Sequence, residues 1–415
     1  MILAGVSISL ILDNNGIIQK SKEARREYGQ ARENEQEQIE DAGDWIEEQV
    51  TGKVTLARVP VDTKANKNGT INGEEGNSNN PTIPKGYTPI DTETSAWGDG
   101  SSTPAQDSVD HGLVIKDDSN NEWVWIPVPD VTIMCDTSNT TECEILYGPS
   151  QKVKTKLYTK SMTIGKEGDT VTISRTKPGI TSSSPYYREP DLVYNRFKNV
   201  WDRDEENYKN TLGFESEEEM AEKFMTDYSE MIASIDRYGG FYIGRYELSE
   251  AGVQKDKATL TNTNWYNLYK KCKELNASNK VETRMIWGGQ WDVTCDFIAN
   301  KGDEKNIIDS RSWGNHSDSI EPANTGNYEQ GVKKNTGSNE NWKANNIYDI
   351  AGNCSEWTQE MSFNSTLGRA NRGGDYIRYG AKWPASFRYD YKPEYQDFDF
   401  LRYSSNFNNK VTYKS

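Results

Sequence analysis

The sequence predicts an α+β fold in which a long N-terminal helix precedes a mixed domain of strands and short helices. Residues 17–50 are rich in Glu, Gln, Arg, Lys and Ala and contain no Pro, which is a helix-forming composition. Residues 112–129 hold two strand patterns around a polar turn, and residues 238–248 alternate as a further strand. Residues 264–275 and 288–298 carry apolar side chains at helical spacing.

Composition restricts the partners of this chain. Its 415 residues include 64 acidic and 48 basic side chains, for a formal net charge of −16 at pH 7. Nucleic acids and anionic membranes bind through basic patches, so neither is an expected partner. The 12 Trp and 23 Tyr, in a chain with only 34% hydrophobic residues, predict a core built on aromatic anchors.

Histidine and cysteine usage limits the available chemistry. Two histidines, His111 and His316, are too few for a zinc site or a histidine-based triad. The five cysteines contain no CxxC pair, which excludes a zinc ribbon. Cys135 and Cys143 bracket a polar loop that an oxidising compartment would allow to close as a disulfide. Cys272 and Cys295 lie on apolar helix stripes, which predicts buried thiols.

The N-terminal 50 residues combine a short apolar run with a polar helix. Residues 2–12 are almost wholly apolar, but about 20 such residues are needed to cross a bilayer. Because no signal-peptide flank or cleavage site accompanies the run, we interpret it as the end of a longer apolar helix. ILAGVSIS, the DNNGII turn and the polar helix resemble the N-terminal helix of prepilin-like proteins from Gram-positive anaerobes.

That resemblance implies a location at the cell surface, with the full-length protein anchored through the helix of residues 1–50. It also implies contacts with other pilin-like subunits through the same helix. An ordinary amphipathic helix is the alternative. Residues 51–80 are predicted to be a linker, since residues 64–80 contain one large side chain, Ile71. Residues 81–415 form the predicted globular domain, with inserts at about 130–235.

The most informative segment is NNIYDIAGNCSEW, residues 345–357. Asp349 and Glu356 lie on either side of a Gly-Asn turn, and carboxylates with backbone carbonyls in a compact turn are ligands that Ca²⁺ prefers. A satisfied turn carrying two surface acids is the alternative. The segment resembles the hallmark N-x-Y-D-x-x-G-N-V-x-E-W of the formylglycine-generating-enzyme, or sulfatase-modifying-factor, family, whose domain has a C-type-lectin-type fold.

Companion motifs appear in the family's order: FYIGRYE, MIWGGQWD, SRSWGN, NRGGDY and a closing FLR. The resemblance covers about residues 81–405, apart from the inserts. It implies a structural calcium ion held by the Asp349 side chain, the carbonyls of Gly352 and Cys354, and the Glu356 carboxylate. Cys354 stands where the family has Val or Ala, and the implied ligand there is only the carbonyl oxygen.

The oxidase chemistry of that family requires a cysteine pair after the RGG motif, because two thiolates bind copper there. Residues 375–402 contain no cysteine. Relatives from the ergothioneine pathway use an iron site built largely from histidines, and this chain has two. The sequence therefore predicts a protein that is not an enzyme. A formylglycine-generating-type oxidase or another enzyme on the same fold is the alternative.

The C-terminal segment alternates aromatic rings with acids, a composition typical of adaptable recognition surfaces. At this position the chain resembles the variable proteins of diversity-generating retroelements, in which adenine-directed mutagenesis yields Asn, Asp, Tyr, Ser, Phe and Ile. The resemblance implies recognition of a protein or cell-surface ligand. A half-buried strand is the alternative for these residues, and a fixed-specificity adhesin or pilin-like structural protein is the alternative function. The predicted ligand-binding residues are Asp375, Tyr376, Arg378, Tyr379, Phe387, Tyr389, Asp390, Tyr391, Tyr395, Asp397, Phe398, Asp399 and Phe400.

Overall fold

The computed structural model describes residues 76–130 and 194–395, with gaps at 85–86, 99–102, 276, 279–280, 327, 363–367 and several positions between 218 and 237. In residues 131–193 and 396–415 it describes the strands named below. The predicted helix of residues 1–50, the linker up to residue 75, Cys135 with its proposed disulfide, and residues 397–400 lie outside the described residues. Within the described part of the chain, every helix is too short or too polar to span a bilayer.

Strands outnumber helices along the described chain. In chain order they are β1 (Tyr87–Ile90), α1 (Gln106–Asp110), β2 (Val114–Asp117), β3 (Glu122–Pro127), β4 (Glu142–Tyr147), β5 (Gln151–Lys156), β6 (Met162–Ile164), β7 (Val171–Ile173), β8 (Tyr187–Arg188), α2 (Tyr194–Asn210), β9 (Gly240–Gly244), α3 (Trp265–Glu274), β10 (Ala277–Ser278), β11 (Val281–Met285), α4 (Gly288–Asn300), β12 (Lys343–Ala344), β13 (Ile347–Tyr348), β14 (Ser355–Ser362), β15 (Arg369–Arg372), β16 (Arg388–Tyr391), β17 (Phe407–Asn408) and β18 (Val411–Lys414).

Two large sheets contain most of these strands, and β4–β5, β6–β7 and β12–β13 each form a separate two-stranded sheet. The larger has the order β1-β2-β3-β9-β18-β11-β10, and all its pairs are antiparallel. The smaller has the order β16-β15-β14-β17, with β8 also paired to β14; its β14–β17 pair is parallel and the others are antiparallel. Mostly antiparallel sheets with separate helices confirm the predicted α+β class.

The β2–β3 hairpin forms as predicted, because its polar turn is closed locally. The Asp117 carboxylate accepts hydrogen bonds from the backbone N–H groups of Ser119 and Asn121, both at 2.9 Å. Asn120 adopts a positive φ of 65°, a conformation that asparagine tolerates well. The following strand buries Trp123 and Trp125 completely, or nearly so, in the core.

Helices α3 and α4 also match their predicted positions. Asn264 caps α3, since its side chain accepts a hydrogen bond from Asn267 N at 3.0 Å. Cys272 of α3 and Cys295 of α4 are free thiols with no exposed surface, which confirms the prediction of two buried thiols.

The region interpreted as inserts contributes more to the core than its sequence indicates. Helix α2 was not predicted, because charged residues dilute its apolar pattern, yet Trp201 and Tyr208 are buried. The Tyr208 ring packs edge-on against Tyr266 of α3, with centroids 5.2 Å apart. The described positions between 217 and 238 also have mostly helical backbone.

The end of the predicted linker also packs on the domain. Residues 76–80 form a tight turn, and the Ser78 carbonyl accepts a hydrogen bond from Trp125 Nε1 at 2.9 Å. Small side chains let the backbone of this segment pack closely on the domain. The same small residues give the segment the composition of a linker, which explains why the sequence predicts one.

Candidate functional site

The hallmark loop turns through an unusual series of left-handed residues. Asn345, Asn346, Asp349 and Asn353 have φ values of 46°, 63°, 55° and 54°, and asparagine and aspartate adopt this region more readily than most residues. Gly352 has a φ of 77°, and a Cβ there would lie 2.2 Å from the Asn315 carbonyl oxygen. The loop therefore requires glycine at this position.

Asp349 is fully buried and is held by the preceding loop. Its Oδ2 accepts hydrogen bonds from Thr336 Oγ1 at 2.9 Å and from Gly337 N at 2.7 Å. A cation bound by Asp349 would therefore use the other carboxylate oxygen. These contacts fix the orientation of the carboxylate before any ion binds.

Glu247, which follows β9, binds the hallmark loop through hydrogen bonds. It was not predicted as a site residue. The side chain is fully buried, and its Oε1 accepts a hydrogen bond from Cys354 N at 2.9 Å. Its Oε2 accepts from Thr259 Oγ1 and Asn353 Nδ2, both at 2.6 Å. The available sequence signal was its place as the last residue of the FYIGRYE motif.

Glu356 provides the second carboxylate of the predicted calcium site. It is fully buried on β14, opposite Arg372 of β15. Gly373 approaches it closely: a Cβ on Gly373 would lie 2.5 Å from Glu356 Oε2 and 3.1 Å from the Ile350 carbonyl oxygen. Only glycine therefore fits at position 373, where the backbone passes directly beside the Glu356 carboxylate.

The donor set fits calcium in kind. Among the described residues, no three His, Cys, Asp or Glu side chains cluster as metal ligands, whereas the predicted set has two carboxylates and two carbonyls. Burial, with the nearby Glu247 carboxylate, raises the pKa of the Cys354 thiol, so that residue offers its carbonyl rather than a thiolate. Calcium binding by Asp349, Gly352, Cys354 and Glu356 stays a prediction.

A buried charge network lies between α4 and the smaller sheet. Arg372 donates to Asp292 Oδ1 at 2.6 Å, and Arg388 donates to Asp292 Oδ2 at 2.8 Å. Arg388 Nε also donates to Glu360 Oε2 at 2.8 Å. Two arginines and two carboxylates balance in charge, so the network fixes β15 and β16 on α4 without a net buried charge.

Four aromatic residues form a continuous row on and beside β16. The ring centroids are 5.5 Å apart for Trp383–Tyr389, 5.0 Å for Tyr389–Tyr391 and 6.1 Å for Tyr391–Tyr395. The Arg378 guanidinium lies 4.4 Å from the Trp383 ring centroid. We name Trp383, Tyr389, Tyr391 and Tyr395 the aromatic row; Trp383 was absent from the predicted ligand-binding set.

The predicted ligand-binding residues differ in exposure. Tyr379 and Tyr395 are 55% and 46% exposed, whereas Tyr376, Arg378, Tyr389 and Tyr391 are partly buried. Asp390 lies on β16.

Asp375 and Phe387 differ from the prediction because both are buried, at 0% and 3% exposure. Asp375 Oδ1 accepts a hydrogen bond from Ile377 N at 3.0 Å and so closes a turn, while the Phe387 ring packs 4.0 Å from that of Trp383. Asp375 therefore stabilises the turn that carries Tyr376 and Arg378, and Phe387 packs against Trp383 of the aromatic row.

A loop from a distant part of the sequence borders this surface. Ser317 N donates to the Arg378 carbonyl at 3.0 Å, and Gly380 N donates to Asp318 Oδ1 at 2.6 Å. The same loop exposes Ile308 and Ile320 at 42% and 47%. The sequence contains the SRSWGN motif here, but no pattern in it predicts that the neighbouring Ile308 and Ile320 are exposed.

His316 is buried at the junction of the two loops. Its Nε2 lies 2.9 Å from Ser310 Oγ, and its Nδ1 lies 3.3 Å from the Asp375 carbonyl oxygen. Burial lowers the pKa of His316 to about 4, although the Asp375 carbonyl and the Asp309 carboxylate act in the opposite direction. The neutral imidazole therefore serves as packing between the loops at physiological pH.

No protein-family model matches the chain, and no curated protein matches it. The solved structures that are similar to about two-fifths of it include the following three. Treponema denticola variable protein 1 shares 13% identity over 43% of this chain and 85% of its own, with a TM-score of 0.29. CarF shares 12% identity over 42% of this chain and 87% of its own, with a TM-score of 0.29. PvdO from Pseudomonas aeruginosa shares 11% identity over 43% of this chain and 82% of its own, also with a TM-score of 0.29.

Proposed function

We propose that this protein is a non-catalytic binding protein with a C-type-lectin-type domain of the formylglycine-generating-enzyme class. It recognises a protein or cell-surface ligand through a face built from the aromatic row, Tyr379 and the loop that carries Ile308 and Ile320. The protein would be displayed at the cell surface through the pilin-like helix predicted for residues 1–50. The main support for ligand binding at this face is the aromatic row.

Large rings with polar tips suit recognition because they bury much area at a low entropic cost. In the aromatic row, exposure rises from partly buried Tyr391 to Tyr395 at 46%. Tyr389 and Tyr391 lie on β16, the strand that Arg388 joins to the buried charge network. A rigid support of this kind reduces the ordering cost of binding. The exposed isoleucines would add apolar contact area at the edge of the same face.

Cysteine placement supports the non-enzymatic part of the proposal. Cys272, Cys295 and Cys354 are buried free thiols, and burial raises the pKa of Cys295 to about 12. Copper binding and nucleophilic attack need accessible thiolates. These three thiols are therefore poorly suited to formylglycine chemistry.

A retroelement origin of the C-terminal segment is part of the proposal. Comparison of the encoding DNA with any nearby near-repeat tests it directly. We expect mismatches confined to adenines of the repeat and concentrated in the codons for residues 375–400. A near-repeat that differs equally at all four bases would contradict diversification and leave a fixed-specificity adhesin.

The binding face is tested by screening the full chain against arrayed cell-surface proteins and glycans. For each hit, Tyr379→Ala and Tyr395→Ala should weaken affinity by about tenfold or more, the loss expected at true anchors. The control is Glu93→Ala, an exposed residue of the loop after β1. Equal binding by the parent and both tyrosine variants would show that the ligand uses another surface.

A further inference from the structure

A second concave site lies between the end of α2 and the exposed side of α3, apart from the aromatic row. The cavity has a volume of about 780 Å³, within the range of small-molecule sites. The described residues that line it are Asn210, Thr211, Leu212, Gly213, Phe214, Glu219, Lys223, Tyr269, Lys270, Lys273 and Glu274. We name it the α2–α3 cavity.

The inner wall of the α2–α3 cavity is aromatic. Phe214 and Tyr269 are 8% and 3% exposed, and both rings pack on Phe224, at centroid distances of 5.9 and 5.5 Å. Leu212 is partly buried against the same core. This wall is rigid and apolar, so it suits an aromatic or aliphatic body rather than a polar chain.

One buried carboxylate beside the cavity is shared among three cations. Asp227, 1% exposed, lies 2.7 Å from Lys223 Nζ, 3.3 Å from Lys273 Nζ and 3.4 Å from Arg284 Nη2. Burial alone would raise the pKa of Asp227, but the three cations more than offset it and lower that pKa. Arg284 is further paired with the exposed Glu282.

Lys273 retains capacity to donate hydrogen bonds into the cavity. Its ammonium group contacts Asp227 Oδ2 and Tyr269 Oη, each at 3.3 Å, and lies 5.1 Å from the Tyr269 ring centroid. An ammonium carries three donors, and charge-assisted bonds are usually nearer 2.8 Å. The side chain is 31% exposed, so a bound anion can reach it.

The acids on the rim do not cancel this inner charge. Glu219 Oε2 accepts a hydrogen bond from Glu215 N at 2.7 Å, and Glu274 is 3.9 Å from Lys270 Nζ. Both glutamates are exposed, where solvent screens their charge, whereas Lys273 lies deeper, against the aromatic wall. The inner end of the cavity is therefore its cationic part.

We propose that the α2–α3 cavity binds a small molecule in which an aromatic or aliphatic body carries one carboxylate or other anionic group. The body lies against Phe214 and Tyr269, and the anionic group accepts hydrogen bonds from Lys273 and Lys223. This site is independent of the proposed binding face.

The test uses two fluorescent probes with the full chain: 8-anilinonaphthalene-1-sulfonate, which is aromatic and anionic, and its neutral analogue N-phenyl-1-naphthylamine. Lys273→Met should raise the Kd of the sulfonate about tenfold, as expected for loss of one charge-assisted bond, and leave the neutral probe nearly unchanged. Lys273→Arg should restore sulfonate binding. Lys301→Met, which removes an exposed lysine at the end of α4, is the matched control.

Location is tested separately with Thr211→Trp, which places a large ring in the cavity and should weaken both probes. Lys223→Met removes the second lysine that would bind the anionic group. It provides an independent test of the anionic subsite if Lys273→Met does not fold. Thermal melts check that each variant is folded. The proposal fails if the parent binds neither probe, if Thr211→Trp leaves both affinities unchanged, or if folded Lys273→Met and Lys223→Met bind the sulfonate as tightly as the parent.

Discussion

Nη2 of Arg388 donates to both carboxylate oxygens of Asp292, at 3.1 Å to Oδ1 and 2.8 Å to Oδ2, although both side chains are buried. The pair joins β16 to α4. Since β16 carries Tyr389 and Tyr391, this contact fixes part of the proposed binding face to the core. The acids of the network raise the pKa of Arg388 despite its burial, so the guanidinium remains charged.

Removing Asp292 should therefore destabilise the domain strongly. Asp292→Ala leaves Arg372 and Arg388 with one remaining carboxylate, and breaking a buried ion pair costs about 3–5 kcal/mol in the free energy of unfolding. Urea unfolding provides the measurement. The control is Asp309→Ala, which breaks the solvent-accessible Arg311–Asp309 pair and should cost far less. Similar losses in the two variants would contradict a structural role for the buried network.

The hallmark loop should bind calcium. If it does, calcium at a hundredfold excess over its dissociation constant would stabilise the folded state by about 2.7 kcal/mol. Thermal melts with calcium and with chelator should differ for the parent, and Glu356→Gln should remove the difference. Cys354→Ala should preserve it, because only the carbonyl of that residue is an expected ligand. Identical melts for the parent in calcium and chelator would rule out this site.

Stability should fall as the pH decreases from 6.5 to about 4, because His316 is buried in its neutral form. Its pKa is lowered from 6.5 to about 4 by burial, so in this window the unfolded chain binds a proton that the folded chain does not. The stabilisation is complete above pH 6.5 and is lost towards pH 4. The lowered pKa corresponds to roughly 3 kcal/mol in the free energy of unfolding.

The pH effect is isolated by comparing the parent with His316→Asn, in which the other titrating groups are unchanged. Denaturant unfolding at half-unit steps between pH 7 and 4 provides the measurement. The free-energy difference between parent and variant should shrink as the pH falls. A difference that stays constant across this range would show that His316 titrates alike in the folded and unfolded chains.

Formylglycine-forming activity should be absent. Residues 375–402, after the RGG motif, contain no cysteine, and Cys272, Cys295 and Cys354 are buried. A sulfatase-motif peptide incubated with the protein, copper and reductant should keep its cysteine unchanged by mass. Conversion above a control without protein would overturn the non-enzymatic assignment. Replacement of each described cysteine by serine would then identify the thiol responsible.

Local sequence patterns were sufficient for the elements that depend on near neighbours. The β2–β3 hairpin, α3 and α4 lie where alternation and helical spacing predicted them, because side chains at those spacings share one face of a strand or helix. The hallmark loop was recognisable by its resemblance to the family motif, and its left-handed positions are occupied by Asn, Asp and Gly, which adopt that conformation more readily than other residues.

Contacts between distant segments were decided only by the tertiary structure. Glu247 holds Cys354 N across 107 residues, and loop 308–320 meets the turn at 375–383 through backbone hydrogen bonds. Periodicity reports which side of an element is apolar, but not which distant element covers it. Tyr379 and Tyr395, which the sequence assigns to the predicted ligand-binding set, are exposed. The burial of Asp375 and Phe387, the exposure of Ile308 and Ile320 and the α2–α3 cavity depend on packing between distant segments, so the sequence did not predict them.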